Sequence, residues 1–219
     1  KADAYGHGAI PVARAAVDAG ADWLAVALVE EGKELREAGL DIPILVLSEP
    51  RPSEMIEVVE FGLVPTVYSG AGIAAASAAA SSHSEIMNVH LKIDTGMRRV
   101  GAEPNFALTL AKSISDRSSL SLEGIWTHCA VADDPSNPFT ESQLRTFNEV
   151  LEGCEKAGIP IKIRHAANSA LTVNNHKGHY DMVRCGIATY GIPPTNVDLS
   201  DINLKPALSL RSEVSFAKN

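Results

Sequence analysis

Short apolar runs alternate along the chain with longer stretches in which apolar residues recur every three or four positions. The short runs fall at residues 23–28, 44–47, 64–67, 88–93, 122–127, 161–164 and 182–185. Helical periodicity covers residues 10–19, 31–38, 53–61, 72–80, 106–114, 141–157 and 169–174. Buried strands separated by helices are the pattern of repeated βα units around a parallel sheet. A closed barrel of this kind takes eight strands, so the seven runs predict an α/β fold, a (β/α)8 TIM barrel lacking its first strand, which would end at about Lys1. An open, doubly wound sheet is the structural alternative, but no G-x-G-x-x-G turn follows any of the runs.

The period changes near the end. Residues 207–219, ALSLRSEVSFAKN, alternate apolar and polar with a two-residue repeat, as a half-exposed strand does. The pattern therefore predicts a barrel domain over residues 1–205 and the beginning of a C-terminal all-β domain over residues 206–219. The Ala-rich stretch 71–84 reads as a helix running into a Ser-rich loop rather than as a linker.

Composition narrows the function classes. The 219 residues carry a formal net charge of -8 with no Lys/Arg cluster, which speaks against a nucleic-acid partner, whose affinity depends on clustered cations. The apolar runs fall far short of the ~20 residues of a membrane helix. Three cysteines, Cys129, Cys154 and Cys185, are widely spaced and form no CxxC pair. They suggest neither a disulfide framework nor a zinc site, and a reducing cytoplasm is the simplest home.

Four predicted strand ends carry polar residues of chemical interest. The chain opens KADAYGHGA, where Lys1 at a barrel mouth is either a desolvated amine able to form a Schiff base or a solvated surface lysine. In HLKIDTGMRRVG, a buried strand delivers Lys92 and Asp94 ahead of Arg98 and Arg99. Charges at alternate positions of a buried strand are paired or functional, so this is either a site or an internal network that supports packing. THCAVADDP offers His128 with Asp133 and Asp134, a spacing that does not specify a metal, and His176 with His179 reads as loop polarity. RHAANSA and VRCGIATYG lie at the last two strand ends, where barrels often hold phosphate. There Ser169 and Gly186 either face an anion or serve as a helix cap and a plain strand-ending glycine.

Taken in order, KADAYGHGA, ILVLSE, HLKIDTGMRRVG, THCAVADD, HAANSA, RCGIATYG and LKPALSL closely resemble the alanine racemase family. The resemblance implies a pyridoxal 5'-phosphate enzyme, an N-terminal (β/α)8 barrel followed by a β-domain, interconversion of L- and D-alanine for peptidoglycan, and a homodimer with composite sites. It implies that Lys1 carries the cofactor as a Schiff base and works as one of two opposed acid/base groups. Tyr5, Ser169, Gly186 and Ile187 match the phosphate-holding positions, and Leu47 and His128 match residues lining the cofactor. Arg184 matches an arginine at the pyridine nitrogen, with His165 as its partner. Arg99 matches an arginine near the cofactor's phenolic oxygen and the substrate carboxylate, and Lys92 a lysine carbamylated in some members. No metal is implied. The family's opposing base is a Tyr of the second domain, so residues 1–219 are expected to hold the cofactor without racemising efficiently. The alternatives within the same reading are a broader amino-acid racemase, a decarboxylase of the same fold, or a non-catalytic cofactor-binding protein.

Overall fold

The computed structural model describes residues 2–195 and 199–218. Its centre is a curled, all-parallel sheet in sequential order: β1 (Leu24–Val26), β2 (Ile44–Val46), β3 (Val64–Val67), β4 (Met87–Lys92), β5 (Leu120–Trp126) and β6 (Ile163–His165). Parallel neighbours need a crossover, and each crossover here carries a helix. These are α3 (Val29–Glu37), α4 (Met55–Glu60), α5 (Gly70–Ser82), α6 (Pro104–Ser115) and α7 (Phe139–Lys156). Before β1 come a single turn α1 (Asp3–Gly6) and the helix α2 (Ala9–Asp18), and after β6 comes α8 (Ser169–Asn174). This is part of a TIM barrel, with six of the seven expected strands formed and the helices where the periodicity placed them.

The helix limits shift for local reasons. α5 begins at Gly70, two residues before the expected start, because the Ser69 hydroxyl accepts the Gly72 N–H at 2.9 Å. α3 likewise begins early, its first turn secured by Glu31 Oε2 accepting the Ala27 and Leu28 N–H groups at 2.7 and 3.1 Å. α7 stops where Gly158, at a φ of 71°, turns the chain and Ile159 N–H reaches back to Cys154 O at 3.0 Å.

The expected seventh strand does not form. Among the described residues, 182–185 make only an isolated bridge between Asn168 and Arg184. On one side Asp181 is folded onto Arg164, whose Nε and Nη2 donate to its carboxylate at 2.7 and 2.9 Å. On the other, Gly186 opens a 3-10 turn over Ile187–Tyr190. Only the short segment between these two anchors can extend. The alternating tail also finds no sheet to join: residues 207–218 form no described strand, and Leu208, Leu210, Val214 and Phe216 are exposed.

One face of the sheet packs on the helices and the other faces the barrel interior. Val89, Leu91 and Ile125 are buried in the same apolar cluster as Ala76 and Ala80 of α5 and Ala107, Ala111 and Ile114 of α6. The alternate residues of β4, His90 and Lys92, point the opposite way and are buried too. Polar groups deliberately placed inside a barrel gather at the carboxyl ends of its strands, and there the chemistry begins.

Candidate functional site

Lys92, Trp126 and His165 stand in register at the carboxyl ends of β4, β5 and β6. Trp126, 2% exposed, is the platform on which the others are arranged. Lys92 Nζ lies 4.3 Å from the centre of its ring and the Arg184 guanidinium 4.6 Å, while His165 stacks on it at 5.4 Å with the planes 10° apart. Cations over an indole face are stabilised by its quadrupole, most strongly where water is scarce.

Arg184 is held by acceptors. Nη1 donates to His165 Nδ1 at 2.7 Å, and Nη2 donates to Thr127 O at 2.8 Å, Ala166 O at 3.1 Å and His128 Nδ1 at 3.4 Å. Its Nε–H has no partner among the described residues, and the side chain lines the cleft. Burial lowers the Arg184 pKa to about 10, so the group stays a cation and a donor at neutral pH. Burial likewise keeps His165 well below the ordinary histidine value, with the Arg184 charge adding to the effect.

Lys92 is 3% exposed. Burial first, then the Arg99 and Arg184 charges, lower its pKa to about 8. Of the two readings of this strand, a packing network through a Lys92–Asp94 ion pair does not form: Asp94 accepts the Gly96 and Arg98 N–H groups at 2.9 and 3.0 Å and braces the loop that presents Arg99 to the cleft. No carboxylate of the described residues pairs with Lys92, Arg99 or Arg184. Three cations without a paired carboxylate at neighbouring points of the cleft favour an anionic ligand there.

A second group lies on the same cleft. The Asn168 side chain caps α8 by accepting Leu171 N–H at 3.0 Å, which leaves Ser169 free for other work. Ser169 Oγ accepts from Gly186 N–H at 2.9 Å and Ala188 N–H at 3.3 Å, so its own proton is available to a ligand. Ile187 N–H, at the start of the 3-10 turn, has no partner among the described residues. Tyr5 arrives from the other side. Asp3, Ala4 and Tyr5 all have positive φ (46°, 51° and 60°), so α1 is a left-handed turn, a conformation that costs ~1–2 kcal/mol per residue. Asp3 Oδ1 secures the turn by accepting Ala9 N–H at 2.7 Å. The turn sets the Tyr5 hydroxyl 2.6 Å from where a Cβ of residue 186 would stand, so glycine at 186 is a requirement of that approach.

The cleft enclosed by these groups has a volume of about 2030 Å3 and runs along the free edge of β1 past Leu47, Lys92, Arg99, His128, Ser169, Arg184, Gly186 and Ile187. It is larger than the ~300–1,000 Å3 of a site that encloses one small molecule. The site residues expected from the sequence thus converge, apart from Lys1, which lies outside the described residues. Sequence reasoning missed Trp126, the group that organises the floor, and His90 beneath it. The polar–apolar–polar order His90, Leu91, Lys92 on a buried strand was the available signal for His90. Nothing in the sequence distinguished Trp126 from a core aromatic. Among the described residues no group of three or more His, Cys, Asp or Glu could hold a metal ion, and no helix is long and apolar enough to cross a membrane.

The comparisons agree with this geometry. The alanine racemase of Halothermothrix orenii is 42% identical over 218 residues, covering 100% of this chain and 58% of its own length. That of Symbiobacterium thermophilum is also 42% identical with the same coverage. Among solved structures, the alanine racemase of Clostridium difficile 630 in complex with cycloserine aligns with a TM-score of 0.88 at 35% identity, over 93% of this chain and 57% of that one. The enzyme of Streptomyces coelicolor A3(2) aligns at 0.86 and 37%, over 93% and 56%. The chain therefore spans somewhat more than half the length of the relatives it matches. The family model described as "Alanine racemase, N-terminal domain" matches residues 1–194, and with the strand order, the convergent strand-end residues and these relatives, the chain belongs to that family.

Proposed function

We propose that this chain is the cofactor-binding barrel of a pyridoxal 5'-phosphate-dependent alanine racemase, acting in the cytoplasm and supplying D-alanine for peptidoglycan. The observation that carries the reading is the pairing, on one cleft, of a phosphate-sized set of donors with an arginine whose Nε–H is unpartnered among the described residues. The donors fit the cofactor's chemistry. Ser169 Oγ–H, Ile187 N–H and the Tyr5 hydroxyl face the space that Gly186 leaves open, as a phosphate requires. When bound, the cofactor supplies an electron-withdrawing ring that acidifies the α-carbon of an attached amino acid.

The chain's own residues are assigned the following work. Arg184 donates to the pyridine nitrogen without giving up its proton, so that nitrogen stays unprotonated and the ring's pull is moderated. His128 and Leu47 flank the ring. Arg99 neutralises the substrate carboxylate. Lys1 anchors the cofactor and moves the proton at one face of the substrate α-carbon. A Tyr of a second domain, from the partner subunit of a homodimer, moves it at the other. Lys92 is carbamylated: a buried amine with a pKa of about 8 retains the neutral fraction that adds to CO2, and the resulting anion would answer the uncompensated Arg99 and Arg184 charges. Residues 206–219 begin the second, β, domain.

The test is an absorbance titration with pyridoxal phosphate followed by borohydride reduction and peptide mapping. A reduced adduct on Lys1, absent when Lys1 is replaced by Ala, is the expected result. No imine band, or an unchanged band after the replacement, sinks the assignment.

A further inference from the structure

Beneath the arginine lies a line of buried groups that the proposed reaction does not use. His165 Nε2 is 2.9 Å from His90 Nδ1, and His90 Nε2 is 3.7 Å from Glu123 Oε2. Both His90 and His165 are fully buried, and at 3.7 Å His90 Nε2 and the buried Glu123 Oε2 face each other just beyond hydrogen-bond distance, with no hydrogen-bond partner for either among the described residues. The direction of the line follows from its upper end. A guanidinium only donates, so His165 Nδ1 accepts from Arg184 and His165 carries its proton on Nε2. That proton is donated to His90 Nδ1, which places the His90 proton on Nε2, facing the carboxylate.

Two features of the backbone serve this line. The pairing of β4 with β5 slips between Val89 and His90: Val89 stands opposite Leu122 and His90 opposite Gly124, so Glu123 is an extra residue in β5. Bulges are rare between parallel strands and re-aim a side chain; this one turns Glu123 toward the His90 ring. Beside it, a Cβ on residue 124 would stand 2.6 Å from the His90 imidazole, so Gly124 is the vacancy that the ring fills.

We propose that Glu123 and His90 are positioning residues for Arg184. Through the ordered pair of imidazoles, the Glu123 carboxylate is the remote counter-charge of a guanidinium that touches no carboxylate of the described residues, and it faces the Nε2–H that Arg184 imposes on His90 through His165. The proposal rests on the reading that Arg184 faces the cofactor ring. Its central measurement needs no cofactor, so the two can fail separately.

The protein at its natural length, labelled with 15N-histidine and free of cofactor, is examined by long-range proton–nitrogen correlation. His90 and His165 are expected to carry their protons on Nε2 in the unsubstituted protein and in Glu123→Gln, which retains an acceptor. In Glu123→Leu both rings keep the tautomer that Arg184 imposes, but the His90 Nε2 resonance should move as its N–H loses the facing carboxylate, and pyridoxal phosphate affinity should fall about tenfold, with Glu123→Gln between the two proteins. An Nδ1 proton on either ring of the unsubstituted protein overturns the proposal whether or not any variant folds. An unmoved His90 Nε2 resonance and unchanged cofactor affinity in Glu123→Leu overturn it equally.

Discussion

At the scale of single residues, the site is a set of cations kept without carboxylates. Lys92 shows the consequence most directly. Its folded pKa of about 8 lies below the ordinary 10.5, chiefly through burial, so the unfolded chain binds this proton more tightly than the folded one. The charged amine therefore destabilises the fold at pH values below about 8. The deficit shrinks as pH rises from about 8 to 10.5 and is gone above that window. At ~1.4 kcal/mol per unit the shift corresponds to roughly 3 kcal/mol. Cys129, raised to about 11 by burial, works in the opposite direction at high pH, so the comparison must be differential. In bicarbonate-free buffer, Lys92→Met should be more stable than the unsubstituted protein by about that amount at pH 7, and the gap should narrow toward pH 10.5, as read from denaturant midpoints. A gap independent of pH would mean that Lys92 is not a buried charge. Added bicarbonate should stabilise the unsubstituted protein alone, if the amine is converted to a carbamate.

At the scale of elements, the helices and the first six strands were legible because burial imposes periodicity, and each of those elements buries a face. The expected strand over 182–185 was not distinguishable by that criterion. Its apolar residues are real, yet the ion pair of Asp181 with Arg164 and the turn after Gly186 leave room for one bridge only. The left-handed turn Asp3–Gly6 was not legible either, because only glycine marks such backbone in a sequence and the strained positions here are Asp, Ala and Tyr. The sequence left Ser169 as either an anion contact or the cap of α8, and the structure gives the cap to Asn168. That residue also bridges to Arg184 in the backbone and donates through Nδ2 to Cys129 O at 3.3 Å, so it ties the β5 loop, α8 and the arginine together. Asn168→Ala should cost about 1 kcal/mol of stability. It should also weaken cofactor binding, because Ser169 begins the helix that Asn168 starts. Equal loss of stability with unchanged cofactor titration would separate the cap from the site.

At the scale of the whole molecule, the cluster of unpaired cations gives an anion one place to bind, but the cleft around it is wider than an amino acid needs. Inversion at an α-carbon takes a proton from one face and returns one to the other. This chain supplies one proposed base, Lys1. Tyr190, the other phenol nearby, is occupied: its ring stacks on His7 at 4.7 Å and meets Tyr5 at 5.0 Å, and burial raises its pKa, which makes it a poor base at neutral pH. Residues 1–219 loaded with pyridoxal phosphate in heavy water should therefore exchange the α-hydrogen of L-alanine with retention, seen as loss of its proton signal, while chiral chromatography finds little D-alanine. Supplying the proposed second domain, fused to this chain or as a companion chain, should bring D-alanine formation up by orders of magnitude while the exchange rate changes far less. Racemisation by residues 1–219 alone at a rate comparable to the longer protein would place the second base inside this barrel, and the division of labour between the two domains would have to be abandoned.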